Sequence, residues 1–172
     1  MGITGIGMNC TLVLLDVFAI WKSVCFNIID MPDCIFCKIV KGEAPCHKIW
    51  EDDKHLAFLS IFPNTEGFSV VITKDHYPSY VFDLPEDVFA NLILATKEVA
   101  KLLDAKLSDV GRTGMIFEGF GVDHIHAKLF PMHGTKDPVW KPRKSNMDKY
   151  FEEYEGYISS HDHKRGDDSE LA

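Results

Sequence analysis

The stretch Gly121-Val122-Asp123-His124-Ile125-His126-Ala127-Lys128-Leu129-Phe130-Pro131-Met132-His133 decides how this chain is read. Side chains on a strand alternate between faces. His124, His126 and Lys128 therefore share one side, while Ile125, Ala127 and Leu129 share the other. The second set is apolar and suits a core. The first lines up two imidazoles and an ammonium, which a strand needing only stability has no reason to collect. An imidazole is a nucleophile, a proton carrier near neutral pH and a metal ligand, so the row points to chemistry. A lone His-x-His, taken by itself, is more often an ordinary solvated strand face.

Working outward, residues 114–118 read as a strand leading into this one. Residues 68–73 form a continuous apolar, β-branched run suited to a buried central strand. Ile49-Trp50-Glu51 and Leu56-Ala57-Phe58-Leu59 read as two strands around the polar turn Asp52-Asp53-Lys54. The spacing predicts one long helix between the central strand and residue 114. Asp83 is its expected cap, Pro85 suits the first turn, and Glu86 and Asp87 complement the dipole. Val88, Leu92, Ala95, Val99 and Leu102 recur at helical spacing and give it an apolar face for the sheet. Residues 34–41 read as a short helix closed by Gly42. The whole is an α+β domain, an antiparallel sheet packed with a short N-terminal helix and one long central helix.

A chain of 172 residues is large enough for one core, and three regions are expected. Residues 1–30 are a hydrophobic extension, 31–147 the folded domain, and 148–172 an acidic region with a helix over 148–160 and a disordered tail. The apolar run 11–21 is short and broken by Asp16, and no basic segment precedes it. No membrane association is expected; the extension packs on the domain or on a partner. The net charge of -8 argues against non-specific nucleic-acid binding, which needs a basic footprint. Residues 148–172 hold eight carboxylates against three Lys/Arg, so most of that acidity belongs to the tail. Five cysteines in a chain without a secretory signal imply no disulfide framework and a cytoplasmic setting. Cys34-x-x-Cys37 reads as a metal or redox pair.

His124-Ile125-His126-Ala127 followed by Leu129-Phe130 resembles the histidine-triad (HIT) family, whose signature is His-φ-His-φ-His-φ-φ with φ apolar. Cys34-Ile35-Phe36-Cys37-Lys38-Ile39-Val40-Lys41-Gly42-Glu43, then Pro45, is similar to that family's amino-terminal segment. Phe58-Leu59-Ser60-Ile61-Phe62-Pro63 and residues 67–76 are similar to its central strands. The resemblance covers residues 33–140 in the family's order. It implies that His126 is the nucleophile, attacking the α-phosphorus of a nucleotide and carrying the nucleotidyl group. It also implies a structural zinc on Cys34, Cys37, His76 and His124, with no open position. Phe36, Phe58, Ser60, Gly119 and Gly121 fall at the substrate, and the two glycines would let backbone amides approach a phosphate. A homodimer through the long helix, 83–103, is implied as well.

Three positions depart from that pattern. Lys128 stands at the third histidine, where an ammonium can balance phosphate charge but is a poor proton shuttle at its usual pKa of ~10.4. A solvated charge at the edge of the site is the other reading of Lys128. Phe120 stands where the family has a glutamine, and Ser60 where an aspartate grips both ribose hydroxyls. His133 lies out of phase with the row, as a surface residue or a substitute donor. The implied function is a nucleotidyl hydrolase or transferase acting on a dinucleoside polyphosphate or a nucleoside phosphoramidate. The alternatives are a nucleotidyltransferase or phosphorylase, and a non-catalytic nucleotide-binding protein that kept the fold and the zinc.

Overall fold

The computed structural model describes residues 33–143, 152–153 and 165–171. The extension 1–30 lies outside the described residues, as does the helix expected over 148–160 apart from Glu152 and Glu153. Helix α1 (Ile35–Val40) is followed by strands β1 (His47–Glu51), β2 (His55–Leu59) and β3 (Ser69–Thr73). A 3-10 turn (Val81–Asp83) leads into helix α2 (Glu86–Lys106), and strands β4 (Thr113–Ile116) and β5 (His126–Pro131) complete the domain. The strands form one antiparallel sheet in the order β1-β2-β3-β5-β4. The fold is α+β, as the sequence predicts.

Strand β3 occupies the centre, and all five of its residues are buried. A central strand covered on both faces needs an apolar run rather than an alternating one, and Val70, Val71 and Ile72 supply it. One face of the sheet packs on α2, where Ala57, Val71, Ile125, Ala127 and Leu129 meet Leu92, Ala95, Val99 and Leu103. The other face carries Leu56, Phe58, Val70 and Ile72, covered by Phe36 of α1. Period-two alternation thus assigns each strand one row to each helix. Helix α1 ends where Gly42 takes φ +75° and donates to the Ile39 carbonyl at 3.0 Å. A left-handed residue there closes the helix at little cost only if it is glycine.

Three details differ from the expectation. Asp83 does not cap α2: Pro85 holds the N-cap position without a side-chain bond, and Asp83 closes the preceding 3-10 turn. Pro85 fixes the entry angle itself, so the carboxylate has no turn to cap. Leu103 rather than Leu102 is buried at the end of the helical stripe. Strand β5 begins at His126, so His124 precedes it, tied instead by its amide to the Val122 carbonyl at 2.8 Å. In the stretch the sequence reads as disordered, Asp168–Leu171 forms a single helical turn, α3. Gly166 N–H donates to the Ile61 carbonyl there, at 2.8 Å. No described helix is long and apolar enough to cross a membrane.

Candidate functional site

Two groups of side chains meet where α1 lies on the sheet. The first is Cys34, Cys37, His76 and His124, whose ligand atoms all lie within 4.8 Å of one another. Cys34 Sγ is 3.5 Å from His124 Nδ1, and Cys37 Sγ is 3.4 Å from His76 Nδ1 and 3.6 Å from His124 Nδ1. Tetrahedral zinc at about 2.3 Å from sulfur and about 2.0 Å from nitrogen spaces its donors by about these amounts. The remaining nitrogen of His124, Nε2, donates to the Thr73 carbonyl at 2.8 Å, which leaves Nδ1 as the lone-pair nitrogen. Burial pushes this imidazole down to about 4, so it is neutral at pH 7, as a metal ligand must be. The four residues can hold a metal ion. Cys46 stands apart from them, and burial pushes its thiol up, away from the thiolate.

The second group surrounds a cavity of about 410 Å³ beside α1. Phe36, Phe58, Ile39, Ile61 and Val122 give it an apolar wall, and His126 and Lys128 bring an imidazole and an amine to it. Strand alternation presents His126 and Lys128 on the same side, with Val70 of β3, the register partner of Lys128, among the lining residues. Phe36 packs edge-on against both His126 and His124, at ring distances of 5.3 and 5.8 Å. His126 is 3 % exposed, and its Nδ1–H donates to the His124 carbonyl at 2.7 Å. That bond selects the tautomer in which Nε2 carries the lone pair.

Of the residues singled out from sequence, Phe36, Phe58, Ser60, Gly121, His126 and Lys128 line one cavity. Gly119 does not. Its φ is +76°, and a Cβ there would come within 2.9 Å of the Ser79 carbonyl oxygen, so backbone conformation and packing alone call for glycine. Ser60 Oγ accepts from the Phe62 amide at 3.1 Å, which leaves its hydroxyl proton as the group to offer a ligand. Phe120 is 75 % exposed and lies off the cavity wall. His133 is bonded to Asp109 at 2.9 Å and to the Glu66 carbonyl at 3.1 Å, also away from the cavity, so it replaces no donor there.

The reading of Lys128 as a solvated charge is corrected. Its side chain is 4 % exposed and pairs at 3.3 Å with Glu118, itself 3 % exposed. Glu118 is the residue that the sequence reading missed. It lies two positions beyond Ile116, the register partner of Lys128, and so leaves the chain on the same face. A lone carboxylate at the end of the strand read over 114–118, in phase with its residues 114 and 116, was the available signal.

The comparisons with known proteins agree with this geometry. The HIT domain matches residues 41–135. The adenosine 5'-monophosphoramidase hnt1 of Schizosaccharomyces pombe is 38% identical over 57% of this chain and 73% of its own length. The adenylylsulfatase HINT3 of Arabidopsis thaliana is 51% identical over 63% of this chain and 56% of its own. Among solved structures, a zinc-bound histidine triad family protein from Mycobacterium smegmatis aligns with a TM-score of 0.55 and 26% identity. That alignment covers 66% of this chain and 85% of that one. An intact histidine pair, the four-residue cluster and a family match over most of the folded region lead to one statement: the chain belongs to the HIT domain family.

Proposed function

We propose that this protein is a nucleotidyl hydrolase acting at the α-phosphorus of an adenylate, an adenosine phosphoramidate or a dinucleoside polyphosphate. The observation that carries the reading is the Nδ1–H bond of His126 to the His124 carbonyl on the wall of an apolar cavity. It supports Nε2 as the attacking atom. A bond forms from Nε2 to phosphorus, and the P–N or P–O bond to the leaving group breaks with its electron pair. The leaving group departs as amine, sulfate or nucleotide, taking up a proton where its basicity requires one. Water then attacks phosphorus, the P–Nε2 bond breaks with its electron pair returning to Nε2, the water proton passes to solvent, and the nucleoside monophosphate leaves. Phe36 and Phe58 offer aromatic faces to a base, and Ser60 offers one hydroxyl to a ribose. Lys128 draws charge from the phosphoryl oxygens as it grows.

Cys34, Cys37, His76 and His124 would hold a structural zinc, which supplies rigidity and no substrate position. That assignment supports a working compartment that keeps thiols reduced, such as the cytoplasm. The exposed apolar residues Phe89 and Leu94 of α2 support a homodimer through that helix. Light scattering at micromolar concentration should report twice the chain mass, and Leu94→Glu should return it to one.

Transfer to inorganic phosphate is the second reading, because the third triad position holds a fixed ammonium rather than an imidazole that can shuttle a proton to water. The deciding experiment incubates the protein with adenosine phosphoramidate, adenylyl sulfate and diadenosine polyphosphates, with and without phosphate. AMP is the expected product, with an adenylyl adduct on His126 in rapidly quenched samples. His126→Ala should form neither. Full turnover by that variant removes the nucleophile assignment, and a protein that binds adenylates without reacting is a binding module.

A further inference from the structure

We infer that Glu118 matches the cavity to an α-phosphoryl group bearing one negative charge, by anchoring Lys128 and offsetting its charge. Phosphomonoester dianions are thereby disfavoured. The inference rests on the nucleotidyl reading above and names a selectivity that it lacks. Glu118 Oε2 accepts from Lys128 Nζ at 3.3 Å, with both side chains almost wholly buried. Glu118 Oε1 is buried with no hydrogen-bond partner among the described residues. A buried carboxylate with no second protein donor among the described residues is only weakly screened, so its field reaches into the neighbouring cavity.

Charge counting then sets the selectivity. Lys128 is the one lysine or arginine among the described residues lining the cavity, and Glu118 itself does not line it. An arriving anion meets the ammonium first, since Nζ has three donors and gives one to Glu118. A first negative charge is therefore accepted. A second has no further cation to meet and is opposed by the carboxylate behind the lysine. A phosphodiester, phosphoramidate or mixed anhydride carries one charge on its α-phosphoryl group, and so does a nucleotidyl-histidine. A released nucleoside monophosphate carries nearly two at neutral pH, because its second pKa is about 6. Substrate and intermediate thus suit the pair, whereas product does not. Glu118 is a positioning residue whose charge hastens product release.

The test compares two ligands by calorimetry at pH 7.5: AMP, a dianion, and its 5'-phosphate methyl ester, a monoanion. Glu118→Gln keeps an acceptor for Lys128 and removes the charge. It should tighten AMP binding about tenfold, the factor that about 1.4 kcal/mol of relieved repulsion gives. Binding of the methyl ester should tighten less, so the discrimination between the two shifts. Glu118→Asp, folded as judged by circular dichroism, keeps the charge and should keep the wild-type discrimination even if kcat falls. An unchanged ratio in the Gln variant overturns the inference, as does an Asp variant that behaves like Gln. Wild-type protein that binds neither compound overturns the nucleotide reading, and this inference with it. Wild-type binding with no Gln effect overturns the inference alone.

Discussion

Replacing Lys128 with methionine would fill nearly the same space but leave the Glu118 carboxylate buried without its cation. Removing one member of a buried pair costs about 3–5 kcal/mol, well above the loss from an exposed one. The side chains are 4 % and 3 % exposed, so the larger range applies. Lys128→Met should lower stability by that amount in urea titrations, and adding Glu118→Gln should restore most of it. Turnover should stay low in the double variant, because neither change returns a cation to the phosphoryl group. A single variant as stable as wild type would show that the pair is solvated in solution. This scale also shows where sequence reading stops. The alternation of His126 and Lys128 with Ala127 and Leu129 was legible, because a strand has a fixed period. The partner of Lys128 was not, because it comes from the segment just past β4, and cross-strand register is invisible in one dimension. The close approach of Gly119 to Ser79 was hidden for a related reason: the two are forty residues apart in sequence.

Between elements, the loop after α2 is joined to the turn after β5. Asp109 Oδ1 accepts from His133 Nδ1 at 2.9 Å, and Asp109 Oδ2 accepts from the Gly134 amide at 2.9 Å. The Glu66 carbonyl, the larger influence, and the Asp109 carboxylate hold the His133 imidazole above its ordinary range. His133 in turn holds the Asp109 carboxyl below its ordinary range. The signs define a window. The raised histidine contributes fully below its unfolded value of about 6.5, and the contribution is lost as pH rises through the folded value. The lowered aspartate contributes above about 3.9, and that is lost as pH falls through its folded value. The clamp is therefore strongest between about pH 4 and 6.5. NMR titration should place His133 above 6.5, and Asp109→Asn should bring it part of the way back, since the Glu66 carbonyl remains. An unmoved histidine would mean that the clamp is open in solution. Strands and helices were readable at this scale because each carries its own period, as β3 and α2 show. The clamp was not, since His133 stands out of phase with any strand and its partners lie in two other loops. The cap of α2 was misassigned because Asp83 and Pro85 both fit a helix start, and only the backbone path selects between them.

Across the whole molecule, the Cys34, Cys37, His76 and His124 cluster is the tie between α1 and the sheet. It joins two residues near the start of the described residues to one after β3 and one before β5. Helix α1 spans only Ile35–Val40, too short to be stable by itself in water, so its position depends on what it is fastened to. The same helix carries Phe36, which packs edge-on against His126 and lines the cavity. Metal content, stability and nucleotide binding should therefore fall together. Protein purified without a histidine tag should contain about one zinc per chain by elemental analysis, and Cys37→Ser should release it with a marked drop in Tm. Adenylate affinity should weaken in the same variant although Cys37 is absent from the cavity lining, because Phe36 is no longer held over His126. Restoring zinc to chelated wild-type protein should recover both properties, whereas the Ser variant should recover neither. Metal-free protein with unchanged Tm and unchanged adenylate affinity would mean that apolar packing of Phe36 on Phe58, at a ring distance of 5.6 Å, fixes α1 without the metal.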